Sequence, residues 1–223
     1  MIKLVSIADC ISIINAIFGF LSIVMVSIGE IRLAFSFILL ALLADGLDGI
    51  IARKIKESKI GEFLESMADM TSLGIAPAVF IYMIYYNIVN CCITDHVFLL
   101  LTLIMFLLTT IIRLASFHII KEKGKFIGLP ASASTILILI MAYFEIEIVY
   151  ILPFVIILSL AMISNISFPK PDYKIDAIAG ILIILTIIIE KNYQGIAPLI
   201  IFIAIGLYVI IGPFYLLIKK KKS

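Results

Sequence analysis

Charged residues are scarce in this sequence of 223 residues, and that scarcity limits the class of protein it encodes. Only 14% of the residues are charged, whereas soluble domains carry about 25%. Hydrophobic residues make up 64% of the chain, and the mean hydropathy is +1.26. A water-soluble fold of this size cannot bury so much apolar surface. The composition therefore predicts an integral membrane protein, and it excludes a soluble domain.

Cysteine is also rare, with only Cys10, Cys91 and Cys92 in the chain. The adjacent Cys91 and Cys92 make a poor structural bridge, and the three residues lack the spacing of metal ligands. We expect three free thiols. The N-terminus has one lysine and then a long apolar segment without a small-residue cleavage site, so we expect a retained first span rather than a cleaved signal peptide.

Long apolar runs predict about eight membrane-spanning helices, since roughly 20 apolar residues cross a bilayer. The predicted spans are residues 6–28, 31–53, 63–89, 96–120, 129–145, 147–165, 176–190 and 195–218. Strands are not expected, because the apolar runs are long and lack polar alternation. The predicted fold is an all-α, polytopic transmembrane helical bundle without a soluble domain.

The basic residues give the predicted orientation. All but three of the 17 lysines and arginines fall at the termini or in the 53–62, 120–128 and 166–175 loops, on one side of these spans. The exceptions are Arg32, Lys191 and Arg113, and Arg113 lies inside a span. The positive-inside rule places both termini and these loops in the cytoplasm. The run Lys219 to Lys222 is typical of an anchor on an anionic leaflet.

Carboxylates inside two neighbouring spans carry the functional prediction, because ionisable groups at membrane depth are costly and usually functional. One stripe of the second helix presents Asp45, Asp48, Gly49, Ala52 and Arg53. One stripe of the next helix presents Gly61, Glu65, Asp69, Ser72 and Ala76. A short loop makes these helices antiparallel neighbours. The four carboxylates are therefore predicted to converge near the cytoplasmic boundary.

Four converging carboxylates need a positive charge to neutralise them. Oxygen ligands without histidine or thiolate favour a hard divalent ion, Mg²⁺ or Mn²⁺. The small residues Gly49, Ala52 and Gly61 leave room for a ligand against the backbone. Arg53 is suited to bind a phosphate group.

Residues 45–69 resemble the signature of the CDP-alcohol phosphotransferase family, D-x2-D-G-x2-A-R-x8-G-x3-D-x3-D. Two departures are present: seven residues rather than eight separate Arg53 from Gly61, and Glu65 replaces the third aspartate. The shorter spacer lies in a loop that absorbs it easily. Residues 68–77, 113–117 and 126–130, together with Asn15 and Gly19, resemble the phosphatidylserine synthase branch of the family.

The resemblance implies a homodimer with six core helices around each active site, so that residues 1–175 form the catalytic core and residues 176–223 an additional helix pair. It implies that Asp45, Asp48 and Glu65 hold two metal ions, with Asp69 as general base and as a further metal ligand. The implied reaction transfers the lipid-bearing phosphate group of CDP-diacylglycerol or CDP-archaeol to L-serine and releases CMP at the membrane. No nucleic-acid partner is expected. The implied CDP-lipid contacts are Asp45, Asp48, Gly49, Ala52, Arg53, Gly61, Ser72 and Asn15. The implied phosphate or acceptor contacts are Arg113, Lys121, Gly128 and Pro130.

Several alternatives stay open at the level of sequence. Arg113 is either an arginine that extends to the interface or a clamp on a phosphate or carboxylate, and Asn15 either bonds another helix or contacts the nucleotide. The acceptor is serine or, alternatively, glycerol phosphate or an inositol phosphate. A cation transporter is an alternative of another class, but the broken helices and repeated halves of transporters are lacking.

Overall fold

The computed structural model describes residues 6–52, 58, 60–89, 93–117, 125–170, 173–189 and 196–222. Within these ranges the chain forms eight helices and two short strands. The helices are α1 (Ile7–Ser27), α2 (Ile31–Ala52), α3 (Gly61–Val89), α4 (Ile93–Phe117), α5 (Ala131–Tyr143), α6 (Ile148–Met162), α7 (Tyr173–Ile189) and α8 (Ile196–Lys222). The predicted all-α bundle of about eight helices is confirmed.

Local sequence signals explain the first helical hairpin. Ser6 caps α1: its hydroxyl accepts from the Asp9 backbone N–H at 3.3 Å, and the Asp9 carboxylate accepts from the Ser6 backbone N–H at 2.7 Å. This capping box satisfies backbone donors that a helix start leaves open. Gly29 has a φ of +85°, a conformation that glycine adopts at little cost, and the chain turns there from α1 into α2.

Four of the described helices, α1, α3, α4 and α8, are long and apolar enough to cross a membrane. Helices α5 and α6 and the apolar part of α7 are shorter. Helix α2 has 22 residues and carries Arg32, Asp45 and Asp48. Many isoleucine and leucine side chains on these helices are exposed, which suits contact with lipid. The chain is thus an integral membrane protein, as the composition predicts.

The expectation that the chain has no strands is wrong at two short segments. Strand β1 (Lys125–Ile127) pairs antiparallel with β2 (Ser167–Pro169), with Phe126 opposite Phe168. Each strand has three residues, which is too short for an alternating pattern to be visible in the sequence. The pair joins the segment before α5 to the segment after α6.

The chain divides into two compact units, residues 1–107 and 108–223, with the boundary inside α4. In the first unit, α1 packs on α2 and α3, and the buried rings of Phe35 and Phe80 lie 6.5 Å apart. In the second unit, α8 packs on α5, α7 and β2. Leu137 and Phe168 are among the buried core residues of that unit.

Candidate active site

Three carboxylates meet where the C-terminal part of α2 faces the start of α3. Asp45, Asp48 and Glu65 each offer an oxygen atom, and these atoms all lie within 4.8 Å of one another. The spacing of three residues places Asp45 and Asp48 on the same face of α2. The structure therefore brings together three of the four carboxylates that the sequence places on facing stripes.

The fourth carboxylate, Asp69, lies beside this group. It is buried one turn after Glu65 on α3, and its carboxyl group is within hydrogen-bonding distance of Asp45. Two carboxyl groups so close together in a buried environment require a shared proton or a nearby cation. The arrangement thus combines a set of three oxygen ligands with a separate, buried carboxyl group.

The three-carboxylate group fits a hard divalent ion. Oxygen ligands lie about 2.0–2.1 Å from Mg²⁺, so two of them on opposite sides of one ion are roughly 4.2 Å apart. Oxygens within 4.8 Å of one another are close enough for side-chain adjustment to bring them around one ion. Asp45, Asp48 and Glu65 are therefore able to bind a metal ion.

Two polar side chains of α1 hold the acidic residues in place. The Ser12 hydroxyl donates to Asp48 at 2.7 Å, and the Asn15 amide donates to Asp69 Oδ1 at 2.9 Å. All four residues are buried. Of the two readings of Asn15, the bond to another helix is present in the structure; a contact with the nucleotide stays a prediction.

Ser12 is a residue that the sequence interpretation missed. It lies three residues before Asn15, which in turn lies four residues before Gly19, so the three share one face of α1. Small and polar residues at this spacing on an apolar helix are typical of helix–helix contacts in membranes. The spacing was available in the sequence as a signal that this face of α1 packs against the site.

Gly19 allows α1 and α3 to approach closely at the next turn. A β-carbon added to Gly19 would lie 2.8 Å from Cα and 3.1 Å from the backbone N of Ser72. Ser72 is fully buried, and its hydroxyl has no hydrogen-bond partner in the part of the chain that is described. The predicted CDP-lipid contact of Ser72 stays a prediction, and the structure adds a packing role for this position.

Helix α3 widens directly after Asp69. Residues Gly61–Asp69 and Ala76–Val89 are α-helical, whereas Met70–Ile75 form a π-helical segment. Pro77 lacks a backbone N–H, and its ring would clash with the carbonyl of Leu73 in a regular α-helix. The predicted 3.6-residue stripe that joins Glu65 to Ser72 and Ala76 is therefore interrupted, and short π-helical segments often mark functional sites.

The start of α3 packs against the start of α1. A β-carbon at Gly61 would lie 3.0 Å from Asp9 Oδ1 and 3.3 Å from the Ser58 hydroxyl, and Ser58 also bonds Asp9. The sequence interpretation assigned the space at Gly61 to a ligand, whereas the structure fills it with the Asp9 side chain. The CDP-lipid contact of Gly61 stays a prediction.

An apolar groove lies in the first unit. It has a volume of about 350 Å³ between α1 and α3 and is lined by residues that include Ile13, Ile17, Phe20, Leu64 and Met67. Ser12, the partner of Asp48, also lines it. Ile17, Phe20 and Met67 are exposed, so the groove opens to the surroundings of the helices.

Arg113 belongs to the second unit, near the end of α4. It is 8% exposed, its Nε donates to the Leu129 carbonyl at 3.2 Å, and its guanidinium carbon lies 5.5 Å from the centre of the Phe117 ring. A buried cation held by a neutral carbonyl and a ring face is able to bind a further anion. The structure therefore disfavours an arginine that simply extends to water.

The turn before α5 is tightly packed. Gly128 has a φ of +78°, and a β-carbon there would lie 2.2 Å from the Met162 carbonyl oxygen, so only glycine fits. Pro130 precedes the first residue of α5. The predicted acceptor contacts of Gly128 and Pro130 stay predictions, and the structure shows that Gly128 is required for close backbone packing.

Some predicted site residues lie outside what the structure describes. The backbone of Gly49 and Ala52 is helical, but their side-chain surroundings are not described. Arg53 and Lys121 lie outside the described residues, as do Cys91 and Cys92, while Cys10 is a free and exposed thiol.

Comparison with known proteins connects this geometry to a family. The profile of the CDP-alcohol phosphatidyltransferase family matches residues 5–166. The chain is 37% identical to a CDP-diacylglycerol–serine O-phosphatidyltransferase of Methanocaldococcus jannaschii, over 78% of each chain. It is 32% identical to an archaetidylserine synthase of Methanothermobacter thermautotrophicus, over 75% of this chain and 71% of that protein.

A relative from a bacterium extends the comparison. The CDP-diacylglycerol–serine O-phosphatidyltransferase of Helicobacter pylori is 26% identical over 87% of this chain and 84% of its own. The matched residues 5–166 include all four carboxylates, both α1 side chains that bond them, and Arg113. This chain therefore belongs to the CDP-alcohol phosphatidyltransferase family.

Proposed function

We propose that this protein transfers a phosphatidyl-type group from a CDP-activated lipid to the hydroxyl group of L-serine. The observation that carries the proposal is the convergence of Asp45, Asp48 and Glu65 beside the buried Asp69. The choice of serine is supported by the names of the relatives from Methanocaldococcus, Methanothermobacter and Helicobacter. The lipid donor is CDP-diacylglycerol or CDP-archaeol.

In the proposed reaction the serine oxygen forms a bond to the lipid-bearing phosphorus of the CDP-lipid. The pyrophosphate bond breaks, and CMP leaves with the bonding electron pair. Asp69 takes the serine hydroxyl proton, because a neutral hydroxyl is a weak nucleophile without a base in hydrogen-bond reach. Asn15 orients Asp69 through its amide bond to Oδ1, and it thereby fixes the direction in which the base accepts the proton.

Asp45, Asp48 and Glu65 would hold Mg²⁺ or Mn²⁺, and we propose two such ions. When bound there, such ions would supply positive charge against the pyrophosphate and the developing charge on the reacting oxygens. The Ser12 hydroxyl orients Asp48 within this group. Arg113 is the proposed clamp on a phosphate or on the serine carboxylate.

The apolar groove between α1 and α3 is the proposed seat of one hydrocarbon chain of the donor. Its lining is aliphatic and aromatic, it opens outward at Phe20 and Met67, and Ser12 connects its wall to the carboxylates. A chain in this groove would stay in an apolar environment while the phosphates reach the polar site.

The proposed orientation places both termini and the active site in the cytoplasm. They lie on the same side as the loops that are rich in lysine and arginine, and such loops are usually cytoplasmic. We also propose a homodimer. Cysteine labelling of intact cells at engineered loop positions tests the orientation, and light scattering of the purified protein in detergent tests the dimer. Labelling of the 166–175 loop from outside would contradict the orientation, and a monomeric mass would contradict the dimer.

The central experiment measures CMP release by the purified protein with CDP-lipid, Mn²⁺ and one of three labelled acceptors: serine, glycerol 3-phosphate or inositol 1-phosphate. We expect serine alone to support CMP release. Asp45→Asn should abolish it, whereas the matched control Asp95→Asn removes an exposed carboxylate of α4 and should retain it. Release supported by another acceptor would overturn the serine assignment. Full activity of Asp45→Asn would overturn the site.

A further inference from the structure

The last helix of the chain contacts the short sheet at two positions one turn apart. The Tyr208 hydroxyl donates to the Pro169 carbonyl at 3.0 Å, and its ring centre lies 6.2 Å from that of Phe168. A β-carbon at Gly212 would lie 2.9 Å from Pro169 Cδ. Helix α8 therefore packs against β2 through a hydrogen bond, a contact between rings and a close approach at Gly212.

The sheet carries this contact toward Arg113. Strand β2 pairs with β1, and directly after β1 the Gly128 N–H donates to the Ile166 carbonyl at 2.8 Å. The next residue, Leu129, supplies the carbonyl that accepts from Arg113 Nε. These steps are backbone contacts, and the Leu129 N–H also donates to the Ala161 carbonyl at 3.0 Å, so the position of the Leu129 carbonyl depends on both β2 and the end of α6.

Tyr208 and Arg113 both belong to the second unit, although they lie 95 positions apart in the sequence. Among the described residues, the Leu129 carbonyl is the hydrogen-bond acceptor of Arg113. Arg113 has four further N–H groups on its terminal nitrogens, which suit a two-oxygen anion.

We propose that Tyr208 and Gly212 are positioning residues, through which α8 holds Arg113 in the orientation that binds an anionic group of a substrate. The proposal rests on the proposed function, and it gives a role to a helix outside the family match at residues 5–166. The anion is a phosphate of the CDP-lipid or the serine carboxylate, and both present two oxygens that accept parallel hydrogen bonds from a guanidinium. The experiment distinguishes these two sources.

The test compares two substitutions with matched controls on the same helix. Tyr208→Phe removes one hydroxyl but keeps the ring, and its control is Tyr215→Phe, at an exposed position. Gly212→Ala adds a methyl group against Pro169, and its control is Gly206→Ala, where an added β-carbon meets nothing within 4 Å. All four chains are purified in full length and assayed for KM and kcat.

We expect Tyr208→Phe and Gly212→Ala to raise the KM of one substrate roughly tenfold, with the controls unchanged, because a misplaced hydrogen-bonding group loses binding. A rise in the KM of serine assigns the carboxylate, and a rise in the KM of the CDP-lipid assigns the phosphate. Unchanged KM values in Tyr208→Phe, with wild-type kcat, would overturn the proposal.

A double-mutant cycle separates positioning from general destabilisation. Tyr208→Phe and Arg113→Lys should be strongly non-additive in KM if Tyr208 acts through Arg113. Additive effects would overturn the proposal, even if each variant alone were impaired. The failure of the proposed function is a different outcome: the wild-type protein then releases CMP with an acceptor other than serine. In that case the KM of that acceptor replaces the KM of serine in the same comparison.

Discussion

The two units of this protein hold their charged residues in different ways. In the first unit, side chains of α1 hold acidic side chains: Ser12 bonds Asp48, and Asn15 bonds Asp69. In the second unit, a backbone carbonyl and a ring face hold the cation Arg113. The first unit should therefore respond strongly to side-chain substitutions, whereas the second should respond mainly to shifts of its backbone.

The largest expected effect tests the acidic side of this comparison. Asp69→Asn keeps the size of the side chain but removes the proposed base, so kcat should fall by about 10²–10⁴-fold. CDP-lipid binding, measured by equilibrium dialysis, should stay close to that of the wild type. Turnover near the wild-type rate would show that another group accepts the proton.

The next effect concerns the close approach of α1 and α3. Gly19→Ala places a β-carbon 2.8 Å from Ser72 Cα, so the helices must separate and carry Asn15 away from Asp69. A displacement near 1 Å can cost roughly 10²-fold in rate, and we expect a loss of that order in kcat. Gly206→Ala is the control, since its added methyl group meets open space. Equal activity of the two variants would mean that the site tolerates the separation of α1 from α3.

A smaller effect is expected when the hydrogen bond itself is removed. Asn15→Ala leaves Asp69 in place but without its amide donor, and we expect kcat to fall roughly tenfold, as for other residues that orient a functional group. The KM of the CDP-lipid should stay unchanged. A rise in that KM with unchanged kcat would instead favour the nucleotide contact of Asn15.

The smallest effect is expected at the ring beneath Arg113. Phe117→Leu keeps an apolar side chain but removes the aromatic face, a contact worth about 0.5–1 kcal/mol at moderate exposure. The KM of the substrate that Arg113 binds should rise by only about two- to fivefold, because the Leu129 carbonyl still accepts a hydrogen bond from Arg113. A loss as large as that of Gly19→Ala would contradict the contrast between the two units.

The sequence predicted the helices and the acidic cluster because both depend on strong, local patterns. Apolar runs of membrane length set the helices, and carboxylates three or four residues apart fall on one face. The family resemblance, carried by residues 45–69, is confirmed by the match over residues 5–166. The ligand roles of the individual residues stay predictions.

The remaining features depend on contacts between distant segments. The role of Ser12 toward Asp48 requires the packing of α1 on α2, and the role of Gly128 requires the Met162 carbonyl to lie against it. The strands β1 and β2 exist because α5 and α6 bring their ends together, which no three-residue pattern reveals. Pro77 is a local signal that the helix is irregular. The sequence alone does not show that the irregularity takes the form of a π-helical segment.

The hydrogen bond from Asn15 to Asp69 also has a consequence for biosynthesis, since its two ends are 54 residues apart in the chain. At a translation rate of about 5–20 residues per second, the ribosome needs roughly 3 to 11 s to add the aspartate after the asparagine. Until the third helix has also been inserted, the Asn15 amide lacks the Asp69 carboxylate as its partner. In that period the amide must form hydrogen bonds with water, lipid headgroups or the insertion machinery.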